Sequence, residues 1–209
     1  MTTSRVGNAD EQTDRLNSEL PCATRRALLL TAFTGYAILA AIESTKAEEE
    51  SGSRRPQKAD LLVRAEGDHA GEVIRLDDLR QGDAPLHAWP KDPKTSVVRD
   101  GSRLNEVMIV KLDPEELDEE TRAIAADGLV AYSVICTHAG CPITEWEKQQ
   151  EGEKHVFKCM CHNSEFDPRR RAEVVFGPAP RRLAVLPLAV ADGVITVAEG
   201  FVGKVGVQE

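Results

Sequence analysis

The chain contains 209 residues, carries a formal net charge of −9 at pH 7, and has an aromatic content of only 4%. This length allows one compact domain of about 140–150 residues together with an N-terminal extension. The acidic balance and the lack of a basic patch argue against a nucleic-acid-binding protein, so we expect no nucleic-acid partner.

A pair of adjacent arginines precedes an apolar stretch near the N-terminus. Arg25 and Arg26 are followed by one small residue and three leucines, a pattern that resembles a twin-arginine export signal. The apolar stretch, residues 27–42, is slightly shorter than the roughly 17–25 residues of a membrane-spanning helix. It could remain as a membrane anchor, which we favour, or be removed by cleavage after Ala47. Residues 1–46 are therefore predicted to be a twin-arginine signal or membrane anchor that engages the twin-arginine export machinery. The alternative is an ordinary membrane helix flanked by arginines.

Residues 47–60 are predicted to form a flexible linker, because they begin with a stretch of Glu, Ser and Gly. A linker of this composition could let the following domain move between partners, or it could be an ordinary disordered connector. We place the folded domain at residues 61–205.

From residue 61 onward the pattern is mostly that of β-strands, with short runs rich in Val and Ile between turn residues. One helix is predicted as well. Asp113 is a suitable N-cap, Pro114 occupies the first helical position, Glu116 completes a capping box, and Asp127-Gly128 ends the helix. The predicted strands are residues 61–64, 73–76, 105–112, 129–135, 156–158, 172–176, 183–190 and 194–197.

Two short Cys–His motifs carry the main functional signal. Residues 136–141 read Cys-Thr-His-Ala-Gly-Cys, and residues 159–164 read Cys-Met-Cys-His-Asn-Ser. Each motif offers one Cys and one His at C-x-H or C-x-x-H spacing, and one further Cys. Two thiolates on one iron and two imidazoles on the other form the ligand set of a Rieske [2Fe–2S] centre. A tetrahedral zinc site is the alternative, although zinc motifs usually pair Cys with Cys and do not need the additional cysteines.

These motifs resemble those of the Rieske iron–sulfur protein family. The resemblance implies one Rieske-type [2Fe–2S] cluster per chain and a disulfide between Cys141 and Cys161 that clamps the two loops. It extends to residues 177–180, Gly-Pro-Ala-Pro, which resemble the proline-rich loop that covers the cluster in quinol-oxidising cytochrome complexes. A rigid turn is the simpler interpretation of these four residues. The implied cluster ligands are Cys136, His138, Cys159 and His162.

The second motif departs from the family pattern at two positions. Met160 stands where Pro is common, and Asn163 stands where Gly is common, but Asn tolerates a left-handed backbone and the loop can still turn. Ser164 matches a hydroxyl that hydrogen-bonds the cluster in high-potential members, whereas Phe166 lacks the hydroxyl of their Tyr. Because hydrogen bonds to the sulfurs raise the potential, we expect a value below the top of the Rieske window of about −150 to +300 mV.

The resemblance also implies a fold and a chemistry. The expected fold is all-β, a Rieske-type antiparallel β-sandwich with a small inserted cluster-binding subdomain at about residues 132–180 and one short helix. An electron added to the neutral oxidised site makes it negative, which favours protonation of its imidazoles. His138 and His162 are therefore the candidate catalytic residues, each able to take up a quinol proton.

The favoured function is electron transfer as the iron–sulfur subunit of a quinol–cytochrome c oxidoreductase, with cytochrome b, cytochrome c and quinol as partners. The alternative is the small Rieske relay subunit of a periplasmic arsenite oxidase with a molybdenum-containing large subunit, since residues 130–138 and 164–167 resemble that branch. A cytoplasmic Rieske ferredoxin fits less well, because such proteins generally lack the disulfide. An uncharacterised periplasmic Rieske carrier is a further alternative.

The implied disulfide and the predicted export signal indicate a bacterial inner-membrane protein with its cluster domain on the periplasmic side, or a periplasmic protein if the signal is cleaved.

Two arginine runs, residues 169–171 and 181–182, flank the strand that leads into the proline-rich loop. We expect them to be solvated surface, with docking of an acidic partner as the alternative. His69, His87 and His155 lack ligand spacing and are expected to be exposed or half-buried.

Overall fold

The computed structural model describes residues 51–207, which form two antiparallel sheets. The strands are β1 (Leu61–Arg64), β2 (Leu86–Lys91), β3 (Val107–Lys111), β4 (Leu129–Ser133), β5 (Glu145–Lys148), β6 (His155–Cys159), β7 (Ser164–Asp167), β8 (Glu173–Phe176), β9 (Leu188–Ala191) and β10 (Val194–Val197). An α-helix, α1, spans Glu119–Arg122, and 3-10 turns lie at Leu76–Asp78, Arg103–Asn105, Pro114–Glu116 and Pro168–Arg170. The larger sheet has the order β4-β3-β2-β1-β10-β9, and the smaller one β5-β6-β7-β8.

Strand β3 lies between two hydrophobic cores. Because successive side chains of a strand point to opposite faces, Val107 and Ile109 contribute to one core, which they share with residues of β1 and β10. Met108 and Val110 contribute to the other core, which also contains Phe157 of the smaller sheet. This two-sided burial explains why the strand is a continuous apolar run rather than an alternating one.

The smaller sheet is an insertion in the larger one. Strands β5 to β8 are consecutive in the chain between β4 and β9. After β8 the chain returns beside β4, where the Leu186 N–H donates to the Ala131 carbonyl at 2.9 Å and Tyr132 pairs with Val185. The larger sheet therefore curls until β4 neighbours the stretch that precedes β9. The predicted all-β antiparallel fold with an inserted subdomain is confirmed.

Most of the predicted strands are observed. Residues 61–64 and 194–197 match in both bounds, while β3, β4, β6 and β8 differ from the prediction by one or two residues at one end or at both. The prediction for 73–76 is wrong, because Val73 and Arg75 form only isolated bridges and a 3-10 turn follows. Strand β9 begins at Leu188 rather than at residue 183, because Pro187 has no N–H for a continuous ladder. Strands β2, β5 and β7 were not predicted from the sequence.

The predicted helix from Pro114 is not continuous. Asp113 does cap its start by accepting from the Glu115 N–H at 2.9 Å, but only a 3-10 turn follows. Leu117 is extended and buried in a hydrophobic core, and this burial ends the turn. Asp118 then caps α1 by accepting from the Thr121 N–H at 2.7 Å. Two short pieces replace one helix because core packing of a single leucine outweighs helix propagation over so few residues.

The described part of the predicted linker, residues 51–60, packs against the domain. The Asn105 side chain donates to the Arg54 carbonyl at 2.8 Å, and the Ala59 N–H donates to the Val197 carbonyl at 2.8 Å. Asp60 forms a buried ion pair with Arg99 through oxygen–nitrogen contacts of 2.6 and 2.9 Å. Residues 51–60 are therefore held by hydrogen bonds and by burial of a charge pair.

The predicted signal or anchor, residues 1–46, lies outside the described residues, as do residues 47–50 of the predicted linker. Across residues 51–207, every helix is too short or too polar to cross a bilayer.

Candidate metal centre

The first Cys–His loop, residues 136–141, is a tight turn that follows β4. The Gly140 N–H donates to the Cys136 carbonyl at 3.1 Å, and the Cys136 N–H donates to the Cys141 carbonyl at 2.9 Å. Gly140 has a φ of +72°, a conformation that glycine adopts without strain. These contacts close the loop locally, so His138 projects from its tip.

The second Cys–His loop, residues 159–164, is the hairpin turn between β6 and β7. Cys159 and Ser164 are paired across the two strands, which fixes both ends of the turn. Asn163 has a φ of +58°, a left-handed conformation, so the expectation that the loop can still turn with Asn at this position is confirmed. The register of β6 and β7 therefore places His162 and Met160 at an exposed tip.

The two loops bring their histidines together. The Nδ1 atoms of His138 and His162 lie 3.2 Å apart, with ring centroids at 4.6 Å and nearly perpendicular planes. His162 is exposed and His138 is half-buried. Two imidazole nitrogens that face each other at this distance form a pair of potential metal ligands at the protein surface.

The remaining two candidate ligands are buried cysteines. Cys136 and Cys159 are 1% and 2% exposed, and both are free thiols. Burial raises the pKa of the Cys136 thiol, and the neighbouring Cys159 thiol raises it further. A bound cation would reverse this effect, because a metal ion stabilises the thiolate that it coordinates. Two buried thiols and two facing imidazoles thus fit a centre with two sulfur and two nitrogen donors.

A disulfide joins the two loops. Cys141 and Cys161 are bonded to each other, as the family resemblance implies, and the implied pairing is confirmed in this structure. The bond connects the end of the first loop to the exposed tip of the second. It therefore restrains the two candidate ligand pairs relative to each other.

The Gly-Pro-Ala-Pro loop, residues 177–180, touches the second Cys–His loop. A Cβ atom at Gly177 would lie 2.6 Å from the Asn163 carbonyl oxygen and 2.7 Å from the Ser164 Cα, so only glycine allows this approach. The Ala179 N–H donates to the Ser164 hydroxyl at 3.1 Å. Ser164 is fully buried and accepts this bond, so its own O–H is still available as a hydrogen-bond donor.

The other histidines lie outside this constellation, whereas the arginine runs depart from the expected solvated surface at two positions. His69 and His155 are exposed and His87 is half-buried, as expected. Arg169 differs from the expectation of a solvated surface, because it is 8% exposed and bonds the Glu116 carboxylate at 2.6 Å. Arg181 also contacts the site, which the sequence does not indicate: its carbonyl accepts from the Thr137 hydroxyl in the first Cys–His loop at 2.6 Å.

Comparison with known proteins distinguishes between the metal centres that this donor set allows. The family model described as Rieske [2Fe-2S] domain matches residues 77–187. The Rieske iron–sulfur subunit of the cytochrome bc1 complex of Streptomyces lividans is 40% identical over 101 residues, which cover 48% of this chain and 54% of the relative. The corresponding subunit of Mycobacterium tuberculosis is 29% identical over 152 residues, covering 70% of this chain and 34% of the relative.

Among solved structures, the cyanobacterial plasma membrane Rieske protein of Synechocystis PCC 6803 is 24% identical with a TM-score of 0.35. That match covers 55% of this chain and 85% of the other. The chain aligns with only 34–54% of the length of the two curated relatives. The family match covers both Cys–His loops and the Gly-Pro-Ala-Pro loop, and it implies a Rieske-type [2Fe–2S] cluster rather than zinc. This chain belongs to the Rieske [2Fe-2S] domain family.

Proposed function

We propose that this chain transfers electrons as the iron–sulfur subunit of a quinol–cytochrome c oxidoreductase. The observation that carries the proposal is the convergence of two buried thiols and two surface imidazoles from two disulfide-linked loops. The proposed ligands are Cys136, His138, Cys159 and His162. When bound, a [2Fe–2S] cluster supplies a centre that takes up and releases one electron.

The residues of the chain hold the cluster in place, leave one side of the site open to a partner, and provide ring nitrogens that can carry a proton. The buried cysteines exclude water on one side, whereas the exposed His162 ring can be reached by a partner from the other. If the facing Nδ1 atoms serve as ligands, the second nitrogen of each ring is left to hold a proton. A ring that has lost this proton can accept the proton of a quinol hydroxyl that meets it.

The choice of complex follows from the curated relatives, which are subunits of cytochrome bc1 complexes. They support cytochrome b and cytochrome c subunits and quinol as the partners of this chain. They do not favour the arsenite oxidase alternative or its molybdenum-containing subunit. The arginine pair at 25–26 and the apolar stretch after it, which resemble a twin-arginine signal, support an inner-membrane location with the cluster domain on the periplasmic side, reached through the twin-arginine export machinery.

The experiment that tests this proposal is extraction of the tagged chain from native membranes with mild detergent. Absorption spectra would detect b-type haem in the eluate, and elemental analysis would detect molybdenum. Haem b without molybdenum is the expected result. Molybdenum without haem b, at a level above that of an extract from untagged cells, would contradict the quinol-oxidising assignment.

The disulfide is expected to protect the bound cluster. Cys141→Ser keeps the four proposed ligands but frees the two loops, and the loss of one disulfide that closes a loop of this size costs about 3 kcal/mol of unfolding free energy. The cluster should then be lost faster in the presence of an iron chelator, measured by the decay of visible absorption. Cys22→Ser, a cysteine substitution outside both loops, serves as the control. Equal decay in the two variants would exclude the clamping role.

The redox potential should respond to a hydroxyl at position 166. Phe166 is fully buried and paired with Phe157 across β6 and β7, and it lies two residues from Ser164. In Phe166→Tyr we expect an upward shift of the midpoint potential in a redox titration. A hydrogen bond worth about 0.5–1.5 kcal/mol more in the reduced state corresponds to about 20–65 mV for one electron. Phe157→Tyr is the matched control, and an unchanged potential in Phe166→Tyr would contradict the argument.

A further inference from the structure

The segment formed by residues 202–207, here called the closing segment, lies against the first Cys–His loop. It is anchored where Val202 exchanges backbone hydrogen bonds of 2.8 and 3.1 Å with Val185. A Cβ atom at Gly206 would lie 3.1 Å from the Ile135 side chain, and one at Gly140 would lie 3.2 Å from the Val207 side chain. The closing segment therefore packs on both the entrance and the turn of this loop.

Arg181 connects the closing segment to the loop. Its guanidinium donates through Nη1 to the Lys204 carbonyl at 2.7 Å and through Nη2 to the Gly206 carbonyl. Its own carbonyl accepts from the hydroxyl of Thr137, which is 2% exposed and lies between Cys136 and His138. One residue thus joins the end of the Gly-Pro-Ala-Pro loop, the closing segment and the first Cys–His loop.

The guanidinium of Arg181 is committed to these backbone carbonyls. Among residues 51–207, no carboxylate lies within 4.0 Å of it, whereas the adjacent Arg182 pairs with Glu120 at 3.0 Å on the surface. Arg103 makes a second contact of the same kind, donating to the Gly140 carbonyl at 2.7 Å. Hydrogen bonds from a charged donor are stronger than neutral ones, so these contacts can restrain a loop that contains little secondary structure.

We propose that Arg181 is a positioning residue for the metal centre. Its guanidinium fixes the closing segment against the first Cys–His loop and steadies the backbone carbonyl that accepts from Thr137, and so holds Cys136 and His138 in the arrangement that receives the cluster; this inference rests on the proposed ligand set. The disulfide restrains the loop at Cys141, at its far end. Arg181 restrains the same loop beside Cys136 and His138. The disulfide and the Arg181 contacts therefore act at different points of the first Cys–His loop.

The test compares Arg181→Gln with Arg122→Gln in the full-length protein. Arg122 is a matched control because its guanidinium also donates to two backbone carbonyls, those of Pro114 at 3.2 Å and Leu117 at 2.8 Å, but beside α1. With an iron chelator present, Arg181→Gln should lose its visible absorption at least about tenfold faster than the wild type, because the loss of even one of the two hydrogen bonds from this charged donor corresponds to that factor. Arg122→Gln should lose it at the wild-type rate. Arg181→Lys, which keeps the charge but not the two-pronged geometry, should give an intermediate rate.

A second readout does not depend on the cluster. Hydrogen exchange at the Cys136 and Gly140 amides, which close the first Cys–His loop, should accelerate in Arg181→Gln and stay unchanged in Arg122→Gln. Equal rates in the two variants, by either readout, would overturn the positioning role. If Arg181→Gln does not fold, Arg181→Lys is compared with Arg122→Lys under the same criterion. A wild-type protein without iron would instead refute the proposed function, while the exchange measurement would still decide the role of Arg181.

Discussion

Cys136→Ser is expected to abolish the iron–sulfur centre completely. A serine hydroxyl does not ionise near neutral pH, so the substitution removes one of the two thiolates that the proposed centre requires. Cys136 is 1% exposed and lies beside Cys159, so water or a surface ligand has no access to replace it. The purified variant should lack the visible absorption and the EPR signal of the reduced centre, and its iron content should fall to background.

His162→Ala should give the same result, because it removes one of the two facing imidazoles. His155→Ala is the matched control, since His155 is also exposed and lies on the same small sheet but faces Trp146 rather than His138. The control should keep the wild-type iron content and spectra. A Cys136→Ser protein with full iron content would show that the ligand assignment is wrong.

Asp60→Asn is expected to lower the unfolding free energy by about 3–5 kcal/mol, the usual cost of leaving one partner of a buried ion pair unpaired. The side chains of Asp60 and Arg99 are 3% and 2% exposed, so solvent does not screen this interaction. Asp92 lies 3.5 Å from the Arg99 guanidinium but is more exposed, and it cannot replace both contacts. Urea denaturation followed by circular dichroism measures the change.

An exposed ion pair provides the control for this prediction. Lys148 and Glu153 lie 2.9 Å apart with side chains that are 63% and 90% exposed, so Glu153→Gln should change stability by less than about 1 kcal/mol. The double variant Asp60→Asn with Arg99→Gln should recover part of the loss, because no unpaired charge is left buried. A loss in Asp60→Asn no larger than that in Glu153→Gln would mean that this ion pair does not hold residues 51–60 to the domain.

The buried charges illustrate what sequence patterns miss. Arg169 belongs to a run of three arginines that reads as solvated surface, yet it is buried against Glu116 and the carbonyl of His155. Glu165 is likewise fully buried, accepting from the Gln150 N–H at 3.1 Å. The two partners of Arg169 are 53 and 14 residues away in the chain, and the partner of Glu165 is 15 residues away. Local composition carries no information about such pairings.

Long-range pairing also explains why three strands are not predicted from the sequence. Strand β5 reads Glu-Trp-Glu-Lys and β7 reads Ser-Glu-Phe-Asp, so neither shows an apolar run. Each becomes a strand because it pairs with β6, whose apolar residues enter the core. Strand β2 contains Pro90, which weakens a strand prediction, yet it has partners on both sides in β1 and β3. Tertiary pairing overrides local propensity in all three.

The types of ligand at the centre, by contrast, can be predicted from short stretches of sequence. Each Cys–His pair lies within four consecutive residues, so the motifs restrict the candidate ligands and their resemblance to known motifs indicates the family, and the apolar runs of β1 and β10 locate the larger sheet. Only the tertiary structure brings the Nδ1 atoms of His138 and His162 to 3.2 Å and places Arg181 between the closing segment and Thr137. The reason is physical: ligand identity is set by side-chain chemistry at short range, whereas the distances between loops depend on long-range pairing that no short window of sequence contains.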